Sequence, residues 1–264
     1  MTQRGIKLFP IIRKTIKSET SYVFNTMSAS VLGMLPVVIM IFLWKAVLKS
    51  GGIINDLRLE QIISYYFVAY IVSCIVDASE IAREISMSIR AGQINNFLIK
   101  PLSYPKYMLQ KHVGKKIFQV ITISIPSVIF YYIYSENINI QFNHLGWFLF
   151  SLIMAVLLNF YIFFFIGILS FWFIENGGLI QLWRNVMQII TGEKIPLYLF
   201  PVTVQAAFFI LPFKYVVYFP VSILLEKNVD YGSLLVQVAW LLVMLLIVRI
   251  TWNRGCRINE GVGI

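Results

Sequence analysis

The charged residues of this chain gather at the end of one apolar stretch. Asp77, Glu80, Arg83 and Glu84 follow one another at spacings of three, three and one. Residues three or four apart share a face of a helix, so Glu80 and Arg83 can form an ion pair. Glu80 and Glu84 repel each other unless a basic partner lies between them. The pattern favours ionic contacts with another segment or another protein, and the alternative is a solvated helix end.

A bent element follows these charges. Residues 88–103 read SIRAGQINNFLIKPLS. Gly92 predicts the end of the charged helix, because glycine accommodates the left-handed backbone of a helix C-cap. A second, short helix is expected to stop before Pro101. A rigid, bent element of this kind is a natural surface for docking another protein.

Several kinds of catalytic chemistry are absent from the sequence. The Gly114-Lys115 pair lacks the other residues of the phosphate-binding pattern GxxxxGK[ST]. Neither HExxH nor GxSxG occurs, so we expect no zinc protease site and no hydrolase elbow. Cys74 and Cys256 do not form a disulfide or metal-binding pattern. The chain is therefore not expected to be an enzyme or to bind a metal.

The composition is that of an integral membrane protein. Of the 264 residues, 59% are hydrophobic and 13% are charged, whereas a soluble domain carries roughly 25% charged residues. The net charge is +10. Because the basic residues flank apolar stretches, they are expected to set the topology and to meet anionic lipid headgroups rather than nucleic acid.

The apolar stretches predict an all-α protein with a single domain, 1–264. Residues 1–24 are basic and amphipathic and predict a helix on the membrane surface, although a solvated basic tail remains the alternative. Six spans follow, with kinks expected at Pro36 and Pro126, at residues 25–48, 61–79, 117–134, 147–174, 179–191 and 234–251. Residues 80–116 form the predicted cytoplasmic coupling region.

Lysine and arginine are most frequent in 1–24, in 80–116 and in the C-terminal tail. This bias predicts that both termini and the coupling region lie in the cytoplasm. On that topology His112 and His144 fall in loops on opposite sides of the membrane and cannot share a metal. An ion-coupled transporter usually needs carboxylates at mid-depth, and their near absence from the spans counts against that function. Asp77 is the one candidate, but it lies near the cytoplasmic end of the second span, where an interfacial charge is the expected role. Secondary transport is kept as the alternative function.

Residues 192–233 are apolar but interrupted by proline, which removes a backbone hydrogen bond from a helix. A seventh span would place Lys214 near the bilayer centre, at a cost of roughly 2.5–3.5 kcal/mol. We therefore predict a re-entrant helical hairpin on the outer side, and a pair of helices lying on the surface is the alternative. The residues that define the hairpin are Pro196, Pro201, Pro212, Phe213, Lys214 and Pro220.

Three stretches resemble a known family, the permease (transmembrane) subunits of bacterial type-2 ABC exporters. The first runs from Ile89-Arg90-Ala91-Gly92-Gln93 through Leu98-Ile99-Lys100-Pro101-Leu102. The second is Leu169-Ser170-Phe171-Trp172-Phe173. The third is the run of prolines from Thr191-Gly192 to Pro220. The resemblance covers most of residues 89–225, but Glu226-Lys227-Asn228 stands where relatives often carry glycine.

This resemblance implies the transmembrane subunit of an ATP-driven exporter in the bacterial plasma membrane. It implies two copies of a cytoplasmic ATP-binding subunit, a second permease that is identical or homologous, and contact with lipids. ATP and Mg²⁺ would bind the ATPase, and this chain would bind no cofactor. The substrate class stays open among drugs, peptides, lipids and polymers. The resemblance assigns ATPase coupling to Glu80, Arg83, Glu84, Arg90, Gly92 and Gln93, and an outer gate to the hairpin residues.

Overall fold

The structure is a computed structural model that describes residues 8–49, 59–98, 103–173, 177–226 and 230–262. In these ranges the chain is helical and contains no strand. Parts of the predictions for 1–7, for Lys100-Pro101 and for Lys227-Asn228 lie outside the described residues. The α-helices are α1 Leu8–Thr20, α2 Val23–Leu32, α3 Leu35–Lys49, α4 Leu59–Val76, α5 Ser79–Arg90, α6 Asn95–Leu98, α7 Tyr104–Tyr134, α8 Leu145–Ile168, α9 Gly177–Ile190, α10 Val202–Ile210, α11 Tyr218–Leu225 and α12 Tyr231–Val262.

Five segments of the described chain are long and apolar enough to cross a membrane. They are Val23–Val47, Leu59–Arg90, Tyr104–Asn137, Phe142–Phe171 and Tyr231–Ile258. The protein is therefore a multi-pass membrane protein. The predicted span 179–191 corresponds to α9, which has 14 residues and a length of about 21 Å. That is shorter than a hydrocarbon core of about 30 Å, so the sixth span stays a prediction.

The first span is broken rather than smoothly kinked. α2 ends at Leu32 and α3 begins at Leu35, so Pro36 lies in the first turn of α3. Backbone N–H groups in the first turn have no acceptor within the helix, so the proline costs no helical hydrogen bond there. A Cβ on Gly33 would meet the Tyr70 hydroxyl at 2.7 Å. That hydroxyl donates a hydrogen bond to the Ser30 carbonyl at 2.5 Å, which fastens the break to α4.

The third span extends further than the sequence suggested. α7 begins at Tyr104 rather than near 117, and His112 is a buried residue of this helix, not a loop residue. α1 lies against α7: a Cβ on Gly114 would come within 3.0 Å of the Thr15 Cβ. The predicted N-terminal helix is therefore present over Leu8–Thr20, and one of its faces contacts protein.

α8 is the central helix of the bundle and packs against α4, α5, α11 and α12. Its side chains Phe160, Phe163 and Phe164 are among the largest that are fully buried. α5 approaches this helix most closely at Gly167, where an added Cβ would lie 3.0 Å from the Cα and carbonyl oxygen of Ala82. The glycine thus permits direct backbone contact between α5 and α8.

Candidate functional site

α5 is a strongly amphipathic helix that continues the second span beyond a break. Asp77 starts it: the carboxylate accepts hydrogen bonds from the Ser79 N–H at 3.0 Å and the Ser79 hydroxyl at 3.1 Å. A negative group here also complements the positive end of the helix dipole. The helix ends as predicted, because Gly92 has φ +66° and turns the chain away after Ala91.

The two glutamates of α5 are held by lysines of α7. Lys115 donates to Glu80 across 2.8 Å, and Lys111 donates to Glu84. The two glutamates are four residues apart on α5, and the two lysines are four residues apart on α7. The ion pairs therefore join the two helices at successive turns. α7 thus supplies the basic partners that the Glu80–Glu84 repulsion requires. Since both carboxylates fasten α5 to α7 within the chain, they are positioned to brace α5.

The strip of α5 next to these glutamates is exposed. Arg83, Met87 and Arg90 recur at spacings of four and three, and all three are exposed, Met87 by 57%. Gly92 and Gln93 extend the same end of the helix and are exposed as well. We call Arg83, Met87, Arg90 and Gln93 the α5 outer face. It combines positive charge with an apolar side chain in a position that the rest of the described chain leaves uncovered.

The break between α4 and α5 is stabilised by side chains from two neighbouring helices. Lys116 of α7 donates to the Cys74 carbonyl at 3.1 Å, and the Asn159 Nδ2 of α8 donates to the Val76 carbonyl at 2.7 Å. A broken helix in a membrane protein requires such substitutes for its lost backbone hydrogen bonds. These hydrogen bonds therefore stabilise the break as part of the folded bundle.

A cavity of about 520 Å³ adjoins this break. We call it the central cavity. Its walls come from the α2–α3 break at Gly33, from α3, α4, α7, α8 and α9, from the turn after α9 and from residues 216–217. They include Asp77, Asn159 and Glu193. A second cavity of about 320 Å³ lies beside α1 and α7 and shares Gly33, Tyr70, Cys74, Asp77 and Gln119 with the first. Asp77 thus borders both cavities.

Glu193 was not anticipated from the sequence as a site residue. It reaches the cavity because Gly192 turns the chain with φ +84°, a backbone conformation that favours glycine. The Tyr65 hydroxyl donates to the Gly192 carbonyl at 2.6 Å, and the Tyr66 hydroxyl donates to the Lys194 carbonyl at 3.1 Å. Burial raises the pKa of Glu193 to about 7, and the negative charge of Asp77 adds to the shift. The one signal in the sequence is the polar interruption Gly192-Glu193-Lys194 in an apolar run.

The predicted hairpin residues are distributed along the chain between α9 and α12. Pro196, Pro212 and Pro220 are buried, whereas Pro201 is exposed. Phe213 packs edge-on against Trp183 of α9 with ring centroids 5.7 Å apart. The Lys214 Nζ lies 4.8 Å from the centre of the Tyr215 ring. Phe213 and Lys214 therefore share one short 3-10 turn, Pro212–Tyr215, and the other prolines lie outside it.

That turn is held by a buried amide. Gln237 of α12 is fully buried, and its Nε2 donates to the Tyr215 and Ser151 carbonyls, each at 3.0 Å. Its Oε1 accepts a hydrogen bond from the Ser151 hydroxyl at 3.0 Å. Gln237 lies about two turns from the start of α12. The turn is thus tied to α12 at the point where α12 contacts α8.

Metal chemistry finds no support in the described part of the chain, where no three His, Cys, Asp or Glu side chains gather. His112 lies against Phe160 of α8 and His144 lies in a 3-10 turn.

Comparison with known proteins identifies the chain at the level of the family. The model of the family described as "ABC-2 family transporter protein" matches residues 34–263. No curated protein matches the chain.

Proposed function

The chain belongs to the ABC-2 transporter family and is an ABC transporter permease, and we propose that it is the transmembrane subunit of an ATP-driven exporter. The family match over residues 34–263 carries this proposal. Members of the family generally work with an ATP-binding subunit. Since this sequence contains no phosphate-binding loop, ATP and Mg²⁺ would bind the partner subunit.

We place the ATPase contact on the α5 outer face. Arginine and methionine are enriched in protein interfaces, and Arg83, Met87 and Arg90 present both kinds of side chain from one face of a helix. Beside this face, the lysines of α7 hold Glu80 and Glu84, and the buried side of α5 contacts α8 at Gly167. A displacement of α5 by the ATPase would therefore be transmitted to α7 and α8 together. Glu80 and Glu84 would act as positioning residues in this coupling.

The remaining parts of the proposal concern topology and assembly. Two permeases, identical or homologous, would enclose the pathway, and two ATPases would bind from the cytoplasm of a bacterial cell. α9 would complete six spans, with both termini inside. The turn Pro212–Tyr215, tied to the buried Gln237 of α12, supports a re-entrant outer hairpin that could act as a gate. Pro196, Pro201 and Pro220 would set the angles of its arms.

One observation favours a second candidate, ion-coupled secondary transport. Asp77 and Glu193 line one cavity, and the charge of Asp77 acts on Glu193. Two carboxylates inside a bundle can carry a proton or a metal cation. This candidate predicts transport that follows an ion gradient and is lost in Asp77→Asn, with no ATPase required.

Purification with bound partners separates these candidates. The tagged chain is extracted from its native membrane in mild detergent, and its partners are identified by mass spectrometry. The exporter proposal expects an ATP-binding subunit with a phosphate-binding loop in the complex. A transport-competent preparation without such a subunit would support the ion-coupled candidate instead.

A further inference from the structure

The central cavity has the size and walls of a ligand site. Its volume of about 520 Å³ lies within the roughly 300–1,000 Å³ typical of small-molecule pockets. Val37, Met40, Phe163 and Met187 supply an apolar wall, and Tyr66 and Tyr70 add aromatic rings. The cavity therefore has an apolar wall beside a polar and charged one, a combination suited to an amphipathic molecule.

Three of the polar residues that line this cavity, Asp77, Asn159 and Glu193, offer hydrogen-bond acceptors. Asn159 is 3% exposed, and its Nδ2 is used by the Val76 carbonyl. Its Oδ1 has no hydrogen-bond partner among the described residues. A buried acceptor without a partner costs about 1–3 kcal/mol. A ligand with N–H donors would satisfy this oxygen together with the carboxylates of Asp77 and Glu193.

The charges around the cavity are consistent with a cation between the carboxylates. Arg184 and Lys194 also line the cavity, and Lys116 and Asp77 interact electrostatically. Within the described chain, however, none of these three cations lies within 4.0 Å of the Asp77 or Glu193 carboxylate. Asp77 acts on Glu193 more strongly than either Lys194 or Arg184 does. Two mutually repelling carboxylates in a buried site bind either a proton or another cation.

We propose that the central cavity binds the ammonium group of a cationic amphiphile between Asp77 and Glu193. The Asn159 Oδ1 accepts one ammonium N–H, and the hydrocarbon part lies against Val37, Met40 and Met187. The proposed exporter function makes this ligand a transported substrate, so the role of the ligand as a substrate rests on that function. Binding itself requires no ATPase. The second cavity, which shares Asp77, provides a neighbouring space that reaches α1 and α7.

Binding is tested with the full chain, including any subunits that copurify, in phosphatidylcholine nanodiscs without ATP. The probes are a dansyl-labelled primary alkylamine and the dansyl-labelled alcohol of equal chain length, and empty nanodiscs correct for partition into lipid. Charge-assisted hydrogen bonds contribute about 1.5–3 kcal/mol, so we expect the amine to bind at least about tenfold more tightly than the alcohol. This comparison uses the unaltered protein and does not depend on the folding of a variant.

Isosteric variants then assign the site. Glu193→Gln and Asp77→Asn should each weaken amine binding about tenfold and leave alcohol binding unchanged. Glu136→Gln, on an exposed 3-10 turn far along the chain, is the matched control and should bind both probes normally. Equal affinity of the unaltered protein for amine and alcohol would mean that Glu193 simply holds a proton, and the proposal would be wrong. Unchanged amine binding in folded Glu193→Gln protein would also overturn it. Since no ATPase takes part, neither result bears on the exporter function.

Discussion

The close contact between α5 and α8 at Gly167 leads to a prediction with a matched control on the same helix. In Gly167→Ala the new Cβ would lie 3.0 Å from the Ala82 Cα, the Ala82 oxygen and the Ile85 Cβ, where carbon atoms prefer about 3.5–4.0 Å. Two of these atoms belong to the backbone and cannot rotate away. Overpacking costs about 1–3 kcal/mol, while replacing a helical glycine by alanine gains about 0.5–1 kcal/mol. The net loss for alanine is therefore about 0–2.5 kcal/mol.

Gly167→Leu keeps the gain in helix propensity but adds three more carbon atoms, so its loss should exceed that of alanine. Gly146 lies near the start of α8 and has no atom within 4 Å of an added Cβ. Gly146→Ala and Gly146→Leu should therefore be neutral or slightly stabilising. The assay is the thermal midpoint of the detergent-solubilised protein by fluorescence-detected size exclusion, where 1 kcal/mol corresponds to about 2–4 °C. Equal midpoints for Gly167→Leu and Gly146→Leu would refute the contact between α5 and α8.

Three further predictions follow from the described contacts. Glu80→Lys should lower the thermal midpoint because the new lysine would face Lys115. The double variant that exchanges the two charges, Glu80→Lys with Lys115→Glu, should recover part of the loss, and no recovery would contradict the ion pair. Gln237→Leu leaves the buried Tyr215 carbonyl without its donor and should cost about 1–3 kcal/mol, whereas the exposed Gln181→Leu should cost little. Equal midpoints would argue against the buried hydrogen bond between Gln237 and Tyr215. Because the folded pKa of Glu193 is raised above that of the unfolded chain, the wild type binds more protons when folded and loses stability as pH rises from about 5 to 7. The midpoint of Glu193→Gln relative to the wild type should therefore be higher at pH 8 than at pH 5, and a pH-independent difference would contradict the burial of this carboxyl.

Local patterns in the sequence predicted local features well. The apolar stretches gave the class of protein and five of the spans, and the family match confirmed the resemblance that Ile89–Gln93 and the proline run suggested. Gly92 ends α5 with a left-handed backbone, as its residue type predicts. These features depend on residues that are close together in the sequence.

Features that depend on contacts between distant helices could not be predicted. Glu80 and Glu84 need basic partners, but their spacing does not say that Lys115 and Lys111 provide them. Glu193 follows an apolar helix and looks like a loop residue. It joins Asp77 only because tyrosines of α4 hold the turn at Gly192 and Lys194. α7 begins earlier than expected because its basic first turns pack against α1 and pair with α5, which stabilises a helix that hydropathy alone does not mark.

Capture of an ATP-binding subunit tests the central claim most directly. The tagged permease and its charge-reversal variants Arg83→Glu and Arg90→Glu are purified from the native membrane, with Lys45→Glu on α3, also exposed, as the control. We predict that the wild type and Lys45→Glu retain an ATP-binding subunit in equal amounts, and that both arginine variants lose most of it while remaining folded and monodisperse. Undiminished capture by folded Arg83→Glu and Arg90→Glu would remove the ATPase contact from the α5 outer face. The absence of any ATP-binding subunit from the wild-type preparation would contradict the exporter function itself.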